Sequence, residues 1–143
     1  MRRLRAQVQD HMTSSPVVVE PSLSLGAAYD LMFENEIRRL PVVEDDILVG
    51  IVTLSDILQA MPGRVEELDV ETKLDLTART VGDIMTYDPV TIGPDDTIRD
   101  AAERLLEYQV SGLPVVQDDH VIGIITESDI FRLIVNGWSS EPA

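Results

Sequence analysis

The chain has 143 residues, 44% of them hydrophobic and only 4% aromatic, a composition that suits a soluble globular fold with an aliphatic core. With 26 acidic against 11 basic side chains its formal charge is −15, which disfavours the nucleic-acid backbone and anionic membrane surfaces as partners. Cysteine is absent, so disulfides, zinc–thiolate centres and cysteine nucleophiles are excluded.

The chain starts basic, Met1-Arg2-Arg3-Leu4-Arg5, but Gln7, Gln9, Asp10 and His11 interrupt any apolar run behind it. No secretory signal is expected, and no stretch reaches the ~20 apolar residues of a spanning helix. A cytoplasmic location is the simplest expectation. A short helical lead-in is predicted over Val8 to Met12, then a β-branched strand, Val17 to Val19. Ser22 or Ser24 opens a helix whose Leu25, Ala28, Tyr29 and Met32 follow the i, i+3, i+4, i+7 template. A hairpin follows, Arg39 to Val43 and Leu48 to Thr53 about a polar loop, and then a helix beginning near Ser55.

Pro62-Gly63 is a helix stop, and Val65, Leu68, Leu74 and Leu76 among acids predict a short amphipathic helix or an ordered loop before Thr80. The order then repeats. Val81 to Met85 is a lead-in, Val90 to Ile92 a strand, and Asp95 to Thr97 offer caps for a helix carrying Ile98, Ala101, Ala102 and Leu105. Leu113 to Val116 and Val121 to Thr126 form the second hairpin, and a last helix starts near Ser128. Asn136-Gly137 reads as a stop, leaving Trp138 to Ala143 as a tail.

The two halves are copies. Met12 and Met85, Pro41 and Pro114, and Asp56 and Asp129 each lie 73 positions apart, with no insertion between. The fold class is therefore α/β (α+β), a β-α-β-β-α motif written twice. The boundaries are 8–60 for motif 1, 61–80 for the linker, 81–135 for motif 2 and 136–143 for the tail. A unit of about 50 residues holds a marginal core, so the copies are expected to share one.

One segment carries chemistry: a strand, then Gly-h-h-Thr-x-Ser-Asp, where h is apolar, then a helix. A helix starting directly after a strand aims unpaired N–H groups beyond the strand end, where phosphate binds well. The Thr53 or Thr126 hydroxyl adds a donor, and Ser55 and Ser128 stand in the same turn. The carboxylate of Asp56 or Asp129 can accept both hydroxyls of a ribose. Helix capping explains the same residues without a ligand, Ser55 and Ser128 being good N-caps. Recurrence of the whole pattern at one offset favours the ligand.

These repeated segments, M-T-x-x-P-V, L-P-V-V and G-I-[VI]-T-x-S-D, resemble the CBS domain, named after cystathionine β-synthase, and their tandem resembles a CBS pair or Bateman module. The likeness runs from about Val8 to Phe131. It implies two motifs in pseudo-two-fold symmetry with two clefts that take adenosine-containing ligands: AMP, ADP or ATP, with S-adenosylmethionine, NAD or a cyclic dinucleotide as further members of the set. By the resemblance, Asp56 and Asp129 hold ribose and Thr53 and Thr126 meet phosphate. The backbone at Val18 and Thr91 reads the adenine edge, and Ile37, Pro41, Val110 and Pro114 pack on the base, although a plain core role is the favoured reading of these apolar residues. Arg38 resembles the phosphate-binding arginines of the AMP-activated protein kinase regulatory subunit; Ser111 stands at its place in copy two. Leu54 is matched by Glu127, so two unequal sites are expected.

The resemblance further implies a stand-alone regulatory protein, without a required cofactor, that forms a homodimeric disc of four motifs and signals in trans to an effector protein. The alternative is a non-catalytic structural interaction module with empty or degenerate clefts. An enzyme is not expected, because no nucleophile, acid–base pair, P-loop or metal cluster is visible. His11 and His120 are unmatched between the copies, and Asp45-Asp46 and Asp118-Asp119 are hairpin-loop residues rather than a calcium loop.

Overall fold

The computed structural model describes residues 5–60 and 79–140. The expected stop at Pro62-Gly63 and the apolar residues of the inter-repeat segment 61–78 lie outside the described residues, as do residues 1–4 and 141–143.

Each hairpin forms as predicted and slightly longer. In copy one, β2 (Arg39–Glu44) pairs antiparallel with β3 (Ile47–Thr53); in copy two, β5 (Gly112–Gln117) pairs with β6 (His120–Thr126). The turn residues Asp45 and Asp46, and Asp118 and Asp119, all have positive φ. That is the backbone of a two-residue primed turn, whose twist matches the strands it joins. β2 and β5 are edge strands, where the missing N–H of Pro41 or Pro114 is tolerated.

Helix α1 (Leu25–Asn35) is capped by Ser24, whose hydroxyl accepts from the Ala27 N–H at 3.1 Å, and α4 (Ile98–Tyr108) by Thr97. The final helices of the copies are α2 (Leu54–Ala60) and α5 (Glu127–Ser140). α5 runs through the expected stop at Asn136-Gly137. A single glycine costs a helix about 1 kcal/mol relative to alanine, and without a left-handed conformation it does not end one. Among the described residues no helix is long and apolar enough to cross a membrane.

Two expectations change. The strands predicted at 17–19 and 90–92 shrink to single parallel bridges, Val19 to Val42 and Ile92 to Val115. Prolines at 16 and 21, and at 89 and 94, leave each run too short to pair further. The lead-ins also do not stay with their own copies. The 3-10 turn Val8–Asp10 and β1 (Thr13–Ser14) join the copy-two sheet, in the order β1-β6-β5. Helix α3 (Val81–Ile84) and β4 (Thr86–Tyr87) join the copy-one sheet, in the order β2-β3-β4.

The compact units are accordingly Val17–Pro89 and Met1–Pro16 with Val90–Ala143. Among the described residues their buried side chains fall into two clusters, one in each unit. The first holds Leu25, Leu40, Val52 and Ile57 with Val81 and Met85; the second holds Ile98, Leu113, Ile125 and Ile130 with Val8. A copy alone is thin, and it is completed by the other copy's lead-in. Leu40 and Leu113 are fully buried, so truncation of either to alanine costs about 2–5 kcal/mol.

Candidate functional site

The two strand–helix corners have no connecting loop: β3 ends at Thr53 and α2 begins at Leu54, while β6 ends at Thr126 and α5 begins at Glu127. The first helical N–H of each corner is tied to the segment before the edge strand. Leu54 donates to the Arg38 carbonyl at 2.7 Å and Glu127 to the Ser111 carbonyl at 3.0 Å.

Within each corner, threonine and aspartate satisfy one another. The Thr53 N–H donates to Asp56 Oδ2 at 2.9 Å, and the Asp56 N–H donates to Thr53 Oγ1 at 3.1 Å. In copy two the Thr126 N–H and hydroxyl both reach Asp129 Oδ2, at 2.8 and 3.0 Å, and the Asp129 N–H donates to Thr126 Oγ1 at 3.4 Å. This is the reciprocal geometry of a capping box with Asp in place of Glu. The capping expected of Ser55 and Ser128 thus falls to Thr53 and Thr126, because the helix begins one residue before each serine. Both serines stand exposed in the first turn.

The same box occurs twice more. The Thr80 N–H donates to Asp83 at 2.9 Å, and the Thr97 N–H to Asp100 at 3.0 Å, each starting a helix that does not follow a strand. These bonds to threonine hold both carboxyls below the usual aspartate range. Thr-x-x-Asp spacing is therefore a capping signal by itself. What distinguishes the corners is that the box sits at the end of a strand, beside an edge-strand segment that carries Arg38 or Ser111.

In the first unit a groove of about 560 Å³ is lined by Tyr29, Met32, Phe33, Ile37, Arg38 and Leu54, with Glu34 and Glu36 beside them. It gathers two predicted site residues, Ile37 and Arg38, next to the first residue of α2, but Thr53 and Asp56 do not line it. Among the described residues that line it, Arg38 is the one cation, and Glu34 and Glu36 are two carboxylates.

The remaining candidates divide by burial. Pro41 and Pro114 are buried in their strands, and their carbonyls accept the Val19 and Ile92 N–H groups at 3.1 Å. Val18 and Val110 are exposed, while Thr91 is half-buried. The Thr91 carbonyl accepts from Arg104 Nη1 at 2.6 Å.

Two arginines matter that the motif comparison passes over. Arg104 has no local sequence signal, since its partner lies 13 residues away. Arg132 does have one: it follows Asp129 by three positions on a helix and reaches Asp129 Oδ1 at 3.4 Å. Copy one carries Gln59 there.

The family model for the CBS domain matches residues 8–63 and again 81–136. The chain belongs to the CBS domain family. The matched segments follow the sequence repeats rather than the compact units, so each CBS motif lends its lead-in to the other's sheet.

A curated CBS domain-containing protein of Bacillus subtilis, YhcV, is 29% identical over 96% of this chain and 90% of its own length. The solved structure of the CBS-pair protein CBSX2 from Arabidopsis thaliana superposes with a TM-score of 0.81 at 32% identity, covering 95% of this chain and 99% of that one. A structure of CBSX2 in complex with AMP gives 0.79 at 33% identity, over 93% and 99%. The CBS domain pair of protein MJ0100, in complex with 5′-methylthioadenosine and S-adenosyl-L-methionine, gives 0.78 at 30% identity, over 92% and 98%. Other matches are larger proteins. The homoserine O-acetyltransferase of Methanohalobium evestigatum is 36% identical over 89% of this chain, yet the chain spans only 24% of that protein's length.

Proposed function

We propose that this CBS pair is a non-catalytic regulatory module that binds an adenosine-containing ligand, AMP-like in the first instance, at its strand–helix corners. The observation that carries the reading is the twice-built corner, in which a Thr–Asp box closes directly on a strand end with an exposed serine in the same turn. The AMP bound by one similar protein and the 5′-methylthioadenosine and S-adenosyl-L-methionine bound by another support the ligand class.

In this reading Asp56 and Asp129 accept the ribose hydroxyls. Thr53, Ser55, Thr126, Ser128 and Arg38 face phosphate, and Val18, Ile37, Thr91 and Val110 meet the base, backed by Pro41 and Pro114. Binding favours one conformation over another by its differential affinity. The response passes to an effector protein from a cytoplasmic homodimer, whose contacts draw on exposed apolar side chains such as Phe33 and Leu106, 76% and 81% accessible.

A thermal-shift panel of AMP, ADP, ATP, NAD, S-adenosylmethionine and cyclic dinucleotides tests the proposal. A ligand selective for the native state raises the melting midpoint by mass action. The second reading, a structural module with empty sites, is favoured by the boxes at Thr80 and Thr97, which cap helices by the same geometry. A panel without any shift establishes that reading and removes the first.

A further inference from the structure

Both carboxylates proposed to hold ribose spend one oxygen on their own capping box, Asp56 through Oδ2 and Asp129 through Oδ2. Ribose recognition then depends on the other oxygen. Among the described residues Asp56 Oδ1 has no hydrogen-bond partner, whereas Asp129 Oδ1 faces Arg132 Nη1 at 3.4 Å. Asp129 is only 9% exposed, so a ribose has few other ways to reach its carboxylate, while Arg132 is 68% exposed and free to swing into water.

We infer that Arg132 is a specificity-determining residue of the copy-two corner: it occupies the carboxylate oxygen a ribose would use, so a nucleoside enters only by displacing it. The inference rests on the ribose-binding reading above. It gives the two corners different discrimination for the sugar. Gln59, the counterpart of Arg132, carries no charge to compete for Asp56. At Asp129 the guanidinium is an internal competitor with a fixed charge, and a neutral sugar hydroxyl is the weaker partner for a carboxylate.

The test uses the intact chain with adenosine and 2′,3′-dideoxyadenosine as probes, both without phosphate, so that Arg132 gains nothing from ligand charge. Amide NMR titration of the Asp129 and Asp56 signals reads each corner separately. Arg132→Gln is expected to lower the adenosine midpoint at Asp129 by about two- to five-fold, the scale of a part-exposed ion pair. The dideoxynucleoside midpoint at Asp129 and the adenosine midpoint at Asp56 stay where they are, and Arg132→Lys, which keeps the charge, stays near the wild type.

An unmoved adenosine midpoint at Asp129 in Arg132→Gln overturns the inference and leaves the ribose reading standing. An equal gain for both nucleosides also overturns it, because the effect then does not pass through the sugar hydroxyls. If adenosine and AMP move neither amide in the wild type, the ribose reading fails and the inference with it.

Discussion

Gly50 carries the Met85 side chain directly against its Cα: a β-carbon at position 50 would fall 2.6 Å from the Met85 sulfur and 2.9 Å from the Thr86 carbonyl oxygen. The lead-in of motif 2 thus lies on the sheet of motif 1, and Gly123 receives Met12 and Thr13 in the same way. A methionine can move aside, but the paired backbone of β4 cannot. Gly50→Ala and Gly123→Ala are each expected to cost about 1–3 kcal/mol, the range for overpacking a filled site. Urea denaturation measures this, and adding Met85→Ala to Gly50→Ala recovers only part of the loss, because the Thr86 carbonyl remains. A neutral Gly50→Ala would show that the lead-in is not seated there.

The contacts at those glycines have no local sequence signal. Hairpins, helices and the corners were legible because alternation, the helical stripe and the turn residues act locally. The repeat even predicts the backbone: Ser15 and Asp88, Glu36 and Gln109, Asp45 and Asp118, and Asp46 and Asp119 are left-handed in pairs 73 apart. The exchange of lead-ins was not legible. The apolar Val8, Val81 and Met85 say that they are buried, but periodicity does not say against which sheet. Val17 to Val19 has the β-branched propensity of a strand, and its flanking prolines leave only one bridge. Thr-x-x-Asp occurs five times in the sequence, four of them among the described residues. The boxes at Thr80 and Thr97 have no counterpart of the same type 73 residues away, where Gln7 and Ser24 stand, so the repeat does not mark them.

Capping makes part of the stability acid-sensitive. The Asp100 carboxyl is held below its ordinary value of 3.8, first by the Thr97 N–H and then by the Thr97 hydroxyl. A carboxyl whose folded pKa is depressed contributes stability that is complete above its unfolded value, near 4, and is lost as pH falls through the folded value. The stability difference between the wild type and Asp100→Asn is therefore expected to shrink from pH 6 to pH 3 in denaturant titrations. A difference that stays constant across that range would contradict the assignment.

Arg38 separates phosphate from nucleoside recognition. It lines the copy-one groove beside Ile37 and Leu54, while Glu34 and Glu36 oppose an anion there. Arg38→Ala is expected to weaken AMP several-fold and to leave adenosine nearly unchanged, a contrast that calorimetry reads directly. Added salt should erode the AMP advantage in the wild type, since exposed charges are screened within about 10 Å at 0.1 M. Equal weakening of AMP and adenosine would mean that Arg38 supports the fold of the groove rather than a phosphate.

The four capping boxes among the described residues supply the control for ligand binding at the corners, because Asp56, Asp83, Asp100 and Asp129 close the same bond while only two of them stand at strand ends. The decisive measurement is the AMP-induced rise in melting midpoint for the four single Asp→Ala variants beside the wild type. All four are expected to melt somewhat lower without ligand, since each loses a cap. Asp83→Ala and Asp100→Ala keep the full AMP response, and Asp56→Ala and Asp129→Ala each lose part of it. A response of equal size in all five proteins, or none in any, would contradict ligand binding at the corners.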